Sequence, residues 1–137
     1  MQIKKISFIN HNDKRGNLIS VEQLDDIPFE IKRVYYIFGV TPGERRGFHA
    51  HKTLNQVMIC VHGKCTIELD DGFDKQTVDL DSPSEGLLVT NCVWREMYNF
   101  ENDAVLLVLA SDHYKEDDYI RSYDSFIEYI NNIGGQL

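Results

Sequence analysis

Short β-type runs separated by turn residues cover most of this chain. They are rich in β-branched and aromatic residues, and Gly, Pro, Asp, Asn or Ser stands between them. The predicted strands are residues 18–22, 33–38, 56–62, 64–69, 76–80, 86–90, 94–100 and 105–110. Many short strands at near-regular spacing predict an all-β sandwich or barrel.

Helical periodicity is found only near the C-terminus. Phe126, Ile127, Ile130 and Ile133 form one apolar stripe, which predicts a short helix packed on the barrel. Ser122 or Asp124 is the predicted cap, and Gly134–Gly135 the predicted end. The length of 137 residues predicts one domain, residues 1–137, able to bury its own core.

Charge and composition exclude several classes of function. The net charge of −8 argues against nucleic acid as a partner, although a few arginines in one cleft can still bind a diphosphate. No long apolar run follows the first five residues, and the longest apolar stretch, 104–110, is too short to span a membrane. Three cysteines without a C-x-x-C pattern predict reduced thiols, and therefore a cytoplasmic protein.

The most specific pattern lies between Gly43 and Gly63. It has the spacing G-x5-H-x-H-x4-Q-x6-G, in which the polar residues are His49, His51 and Gln56. This resembles the first cupin motif, G-x5-H-x-H-x3-4-E-x6-G, with Gln56 in place of Glu. Residues two apart on a strand point to the same face, so His49 and His51 are predicted to project together.

Arg95 decides the metal prediction. The second cupin motif ends in H-x3-N, and here Arg95 and Asn99 stand at those positions. A guanidinium has no lone pair to give and repels a divalent cation. Two histidines without a carboxylate make a poor metal site, so we predict no catalytic metal. We place Gln56 and Arg95 among the substrate-binding residues.

Two imidazoles without a metal suit general acid–base catalysis, since histidine exchanges protons near neutral pH. Arg46, Arg33 and Lys52 are candidates for binding a diphosphate. Tyr35 and Tyr36 are adjacent in a β run, so one faces inward and the other outward. The inward tyrosine is a candidate for bonding a substrate hydroxyl or stacking on a base.

Five segments resemble the dTDP-sugar 3,4-ketoisomerases. They are R-V-Y-Y-I-F (33–38), R-G-F-H-A-H-K (46–52), V-W-R-E-M (93–97), L-A-S-D-H-Y (109–114) and D-Y-I-R (118–121). The resemblance implies a cupin double-stranded β-helix, or jelly-roll barrel, in a homodimer that exchanges N-terminal strands. It also implies a dTDP-linked 4-keto-6-deoxy sugar as substrate and no cofactor.

The implied reaction moves the ketone of dTDP-4-keto-6-deoxyglucose from C-4 to C-3 through an enediol, in the making of surface sugars. The catalytic pair of the family maps onto His49 and His51, and the resemblance does not say which is the base. Arg46 maps onto the arginine beside that pair. Some relatives have His where this chain has Arg95, which leaves the C-4 configuration open. We hypothesise that Arg95, together with Arg15, influences that configuration and favours the gluco product.

Three other interpretations stay in view. A sugar-nucleotide 3,5-epimerase also uses histidine as a base on a 4-keto sugar, and the product distinguishes the two. A non-catalytic sugar-nucleotide-binding cupin is the second, although the chain has no basic patch for DNA. A metal-dependent dioxygenase is the third, and Gln56 and Arg95 argue against it.

Overall fold

The computed structural model describes residues 1–134, most of them in β-strands. The strands are β1 (Lys4–Ser7), β2 (His11–Asp13), β3 (Gly16–Leu18), β4 (Arg33–Ile37), β5 (Arg46–His51), β6 (Gln56–Asp70), β7 (Lys75–Leu80), β8 (Glu85–Val89), β9 (Trp94–Ala110) and β10 (Tyr119–Ile120). A 3-10 turn (Glu116–Asp118) precedes β10, and helix α1 (Tyr123–Gly134) follows it. Within the described residues, no helix is long and apolar enough to cross a bilayer.

Eight strands form one large antiparallel sheet around the two long strands β6 and β9. Its order is β1-β8-β6-β9-β5-β10, with β4 also paired to β9 and β7 to β6. Residues 56–60 of β6 pair with 106–110 of β9, and 66–70 pair with 94–98. The register shifts between these two stretches, so each long strand bends and contributes to both halves of the barrel.

Gly63 stands at this bend with φ of 72°, a backbone conformation that favours glycine. A Cβ at Gly63 would collide with the backbone carbonyls of Glu101 and Asn102 on β9. The bend therefore depends on glycine at this position, and it lets both long strands follow the curvature of the barrel.

Apolar side chains on the inner faces of both halves form the main core. Its members include Met58, Cys60, Cys65, Ile67, Leu80, Leu87, Leu106 and Val108. Burying each large aliphatic side chain stabilises the fold by roughly 1.5–3 kcal/mol. Cys60 and Cys65 are buried free thiols and Cys92 is half-buried, so two of the three lie in the core as small apolar residues.

Helix α1 packs on the outside of the barrel, as its apolar stripe predicts. Phe126 and Ile130 are buried, against Trp94 and Ile120. The Ser125 N–H lies 3.4 Å from Ser122 Oγ, so Ser122 rather than Asp124 caps the start of the helix. The helix continues through Gly134, and the second predicted stop residue, Gly135, lies outside the described residues.

Every strand predicted from residue 33 onward overlaps a strand of the structure, whereas β1, β2, β5 and β10 were not among the predicted strands and the prediction for 18–22 is wrong. Residues 18–22 are irregular apart from Leu18, the last residue of the β2–β3 hairpin. That hairpin pairs with no strand of the large sheet. The predicted pairs 56–62/64–69 and 94–100/105–110 are each one continuous bent strand.

Candidate active site

The two histidines of the sequence motif lie side by side on the inner face of β5. Their ring centroids are 4.9 Å apart, and both rings are buried. A bulge precedes them, because the register with β9 shifts between Gly47 and His49 and Phe48 has φ of 54°. Gly47 has φ of 97° and lies so close to β9 that a Cβ would be 2.8 Å from the Arg95 carbonyl oxygen.

His49 has one ring nitrogen anchored and the other free. Its Nδ1 lies 2.9 Å from the Gly47 carbonyl oxygen, which can only accept, so the proton is on Nδ1. The Nε2 atom therefore carries the lone pair, and it has no hydrogen-bond partner among the described residues. Burial, followed by the charge of Arg95, lowers the pKa of His49 to about 4. At neutral pH His49 is thus an uncharged base.

His51 lies deeper in the barrel, with only 1% of its surface exposed. Burial and the charge of Arg95 lower its pKa to about 2. Asp118 Oδ2 is 3.3 Å from His51 Nδ1, but the contact lacks hydrogen-bond geometry. Because the imidazole is neutral, this contact is not a salt bridge. The Asp118 carboxylate instead accepts hydrogen bonds from the backbone of Thr53 and Leu54.

A hydrogen-bonded chain of three side chains runs behind the histidines. Arg95 is fully buried and donates to Gln56 Oε1 at 2.5 Å and to the Val93 carbonyl at 2.9 Å. Gln56 Nε2 in turn donates to Tyr35 Oη at 3.0 Å. Burial raises the pKa of Tyr35, so its hydroxyl stays protonated at neutral pH. Tyr35 is therefore the inward tyrosine, and Tyr36 is 62% exposed.

A cavity of about 310 Å³ lies beside Tyr35 and His49. It is lined by Arg33, Tyr35, Ile37, Arg46, Gly47, His49, Met97, Tyr119 and Arg121. Neither Arg33 nor Arg46 forms a salt bridge with a carboxylate of the described chain. The cavity therefore offers a neutral base, a phenol and two arginines whose charges are free for an anion.

The structure brings five of the nine residues selected from the sequence to this cavity or its immediate wall. Arg33, Tyr35, Arg46 and His49 line it, and the His51 ring contacts the ring of His49. Gln56 and Arg95 lie behind Tyr35 with no exposed surface, so neither side chain lines the cavity as a substrate-binding residue would.

Lys52 and Arg15 lie elsewhere. Lys52 borders a wider, open groove of about 570 Å³ between β10 and α1, which contains no histidine. Arg15 is on the β2–β3 hairpin, where its guanidinium pairs with Asp13. Within one chain, therefore, the structure does not bring Arg15 to the histidines.

Three residues in and next to β10, namely Asp118, Tyr119 and Arg121, complete the site, and sequence reasoning assigned none of them. The Tyr119 ring lies 5.0 Å from the His49 ring and 4.3 Å from the His51 ring. Arg121 stacks on Tyr119 at 4.1 Å and pairs with Glu116. Asp118, Tyr119 and Arg121 belong to the D-Y-I-R segment of the family resemblance, which was the available signal.

The donor set around the histidines does not fit a cupin metal. Arg95 occupies the third histidine position and Gln56 the carboxylate position, and they bond to each other. Within residues 1–134, the one group of three potential ligand side chains close enough to share an ion is Glu22, Asp25 and Asp26, away from His49.

Comparison with known proteins assigns the family. Residues 1–131 match the family model described as "FdtA: WxcM-like, C-terminal". The chain belongs to the FdtA family. A curated relative from Aneurinibacillus thermoaerophilus, TDP-4-oxo-6-deoxy-alpha-D-glucose-3,4-oxoisomerase, is 53% identical over 133 residues, which are 97% of this chain and 96% of the relative.

Two solved structures of 3,4-ketoisomerases extend the comparison. The Helicobacter canadensis enzyme superposes with a TM-score of 0.92 at 50% identity, covering 96% of this chain and 98% of that one. The Thermoanaerobacterium thermosaccharolyticum enzyme, in complex with TDP, gives 0.93 at 45% identity, covering 96% of both chains. The predicted cupin-type barrel with a C-terminal helix is thereby confirmed.

Proposed function

We propose that this FdtA-family chain is a sugar-nucleotide 3,4-ketoisomerase that converts dTDP-4-keto-6-deoxyglucose to a dTDP-3-keto-6-deoxyhexose. The observation that carries the proposal is the cavity that neutral His49, whose Nε2 has no hydrogen-bond partner among the described residues, lines together with Arg33 and Arg46. Two arginines without carboxylate partners suit a diphosphate, and an uncharged imidazole suits removal of a proton next to a ketone. The names of the relatives agree with this substrate and reaction.

The reaction requires two protons to move between carbons and oxygens. A base takes the proton from C-3, which the neighbouring ketone acidifies, while the C-4 oxygen gains a proton to give an enediol. The C-3 hydroxyl then loses its proton as C-4 receives one, and the ketone is at C-3. No electron leaves the substrate, so the balance needs no redox partner.

His49 is the better candidate for the carbon base. Its Nδ1–H is held by the Gly47 carbonyl, which directs the Nε2 lone pair away from the backbone. His51 has less exposed surface and does not border the cavity, so we assign it to the oxygen side, together with Tyr35.

The experiment is turnover of dTDP-4-keto-6-deoxyglucose in D₂O, followed by NMR of the product. The expected product has its ketone at C-3 and deuterium at C-4. His49→Asn should lower turnover by roughly 10² to 10⁴, the usual contribution of a general acid–base group. His62→Asn is the matched control, since His62 is exposed and outside the cavity. Deuterium at C-5 with the ketone unmoved would instead show a 3,5-epimerase.

We also infer that two chains associate, with the N-terminal segment of one reaching the cavity of the other. Large apolar side chains are exposed near the hairpin, on the outer face of β4 and just after β4; they include Ile9, Leu18, Val34, Tyr36 and Phe38. Exchange of this segment would bring the partner's Arg15 to the site. Light scattering should report a dimer, and Arg15→Ala should weaken substrate binding. A monomer with full activity would refute the inference.

The location of the protein in the cytoplasm stays a prediction from the sequence.

A further inference from the structure

Gln56, the first residue of β6, is buried between Tyr35 and Arg95. In the cupin motif a glutamate stands at this position. An amide can donate and accept hydrogen bonds at the same time, whereas a carboxylate can only accept. Gln56 uses both capacities, because it accepts from Arg95 and donates to Tyr35.

Arg95 fixes which way the amide points. A guanidinium has five donors and no acceptor, so the atom 2.5 Å from Arg95 Nη1 must be the oxygen, Oε1. The amide nitrogen is then the atom that faces Tyr35, at 3.0 Å from Oη. The orientation of Gln56 therefore follows from the chemistry of its buried neighbour.

The same bond determines where the Tyr35 hydrogen can go. Because Oη accepts the bond from Gln56, the hydroxyl hydrogen is not directed at the amide. Within the described chain Tyr35 donates to no other group, and it lines the cavity beside His49. Its hydroxyl hydrogen is therefore available to a group bound in that cavity.

We propose that Gln56 is a positioning residue that turns the Tyr35 hydroxyl hydrogen into the cavity, toward the keto oxygen of the sugar. This role rests on the proposed 3,4-ketoisomerase function. As the C-3 proton leaves, negative charge develops on the C-4 oxygen. A phenol hydrogen already directed at that oxygen stabilises this charge without rearranging in the transition state.

Glutamate at position 56 would reverse the bond. A carboxylate would accept from Arg95 and also from the Tyr35 hydroxyl, which would turn the hydrogen away from the substrate. The charge-assisted pair with Arg95 would at the same time hold the local structure at least as firmly as the amide does. A change that preserves the packing is thus expected to weaken the reaction.

The test is a double-mutant cycle of Gln56→Glu and Tyr35→Phe, with kcat and KM measured on dTDP-4-keto-6-deoxyglucose. Each single variant should lose about 10² to 10³ in kcat, the usual effect of removing one oxyanion donor, with little change in KM. The double variant should be no slower than Tyr35→Phe alone. Gln23→Glu is the matched control, since it adds the same charge at an exposed residue far along the chain.

Three results would overturn the proposal. Wild-type turnover in Gln56→Glu would show that the direction of the bond does not matter. If Gln56→Glu lowered kcat by the same factor in the wild-type and the Tyr35→Phe backgrounds, the new charge would be acting on the histidines instead. Absence of ketoisomerase activity in the wild-type protein would refute the proposed function itself.

A second variant keeps the test decisive if Gln56→Glu does not fold. Gln56→Met keeps a similar volume and removes the donor to Tyr35. It should lower kcat when Tyr35 is present and should have no further effect in the Tyr35→Phe background. A loss in kcat that is the same in both backgrounds would refute a role through Tyr35.

Discussion

Replacing Gly47 by alanine is expected to damage both the fold and the reaction. Two costs arise from the structure. The first is the left-handed backbone, φ of 97°, which penalises a side chain by about 1–2 kcal/mol. The second is collision, because the new Cβ would lie 2.8 Å from the Arg95 carbonyl oxygen and 3.3 Å from Glu96 Cα. Overpacking against backbone costs roughly 1–3 kcal/mol.

Alanine substitution at Gly43 provides a comparison that distinguishes the backbone cost from the collision cost. Gly43 also has a left-handed backbone, φ of 87°, but a Cβ there would meet no atom within 4 Å. Gly43→Ala therefore carries only the first cost. The expected difference between the two variants is about 1–3 kcal/mol in the free energy of unfolding, the collision alone. At about 4 °C per kcal/mol for a chain of this size, the melting temperatures should differ by about 4–12 °C.

Turnover should separate the variants further. Relieving the collision moves the Gly47 carbonyl, which holds His49 Nδ1. A displaced base can lower turnover by roughly 10- to 100-fold, and Gly43→Ala should keep the wild-type rate. Urea unfolding at a fixed protein concentration and product NMR measure the two effects. Equal unfolding midpoints and equal turnover for the two alanine variants would refute the packing argument.

The remaining predictions concern pH, metal and stereochemistry. The free energy of unfolding should fall as the pH drops from about 6.5 to 4. In that range the exposed histidine of the unfolded chain binds a proton, whereas buried His49, with a pKa of about 4, does not. A urea midpoint that falls just as steeply with pH in His49→Gln would contradict this prediction. Turnover should survive prolonged EDTA treatment, and loss that a divalent cation restores would overturn the metal-free mechanism. Arg95→His, alone or with a change at Arg15, should alter the ratio of C-4 epimers seen in the C-4 proton couplings; an unchanged ratio at full activity would dismiss that role.

Local patterns in the sequence predicted most of the barrel and the centre of the site. Runs of β-branched and aromatic residues between turn residues located most of the strands from residue 33 onward, and the side-chain alternation of a strand placed His49 and His51 on one face. The same alternation could not say whether Tyr35 or Tyr36 faces inward, because that choice depends on the register with β9. The structure resolves it through the pairing of Tyr35 with Val108.

Contacts between distant segments account for what was missed. Strand β10 has two residues, too few for a periodic pattern, yet its pairing with β5 brings Tyr119 onto both histidines. The depth of Arg95 was also not predictable, since alternation gives the face of a strand and not the distance from solvent. Gly63 was interpreted as a turn because a bulge and a hairpin use glycine for the same backbone reason.

The bond between Arg95 and Gln56 has a consequence for how the protein folds. In the ladder Gln56 pairs with Ala110 and Arg95 with Leu69, at opposite ends of the paired region, yet their side chains meet inside the barrel. They can meet only after both long strands have bent and the two halves have come together. Non-local pairing of this kind forms slowly, because the loop entropy is lost before the contacts are gained. We therefore expect the bonds that direct the Tyr35 hydroxyl to form after the individual strand pairs, so that recovery of activity after refolding lags behind recovery of β-structure.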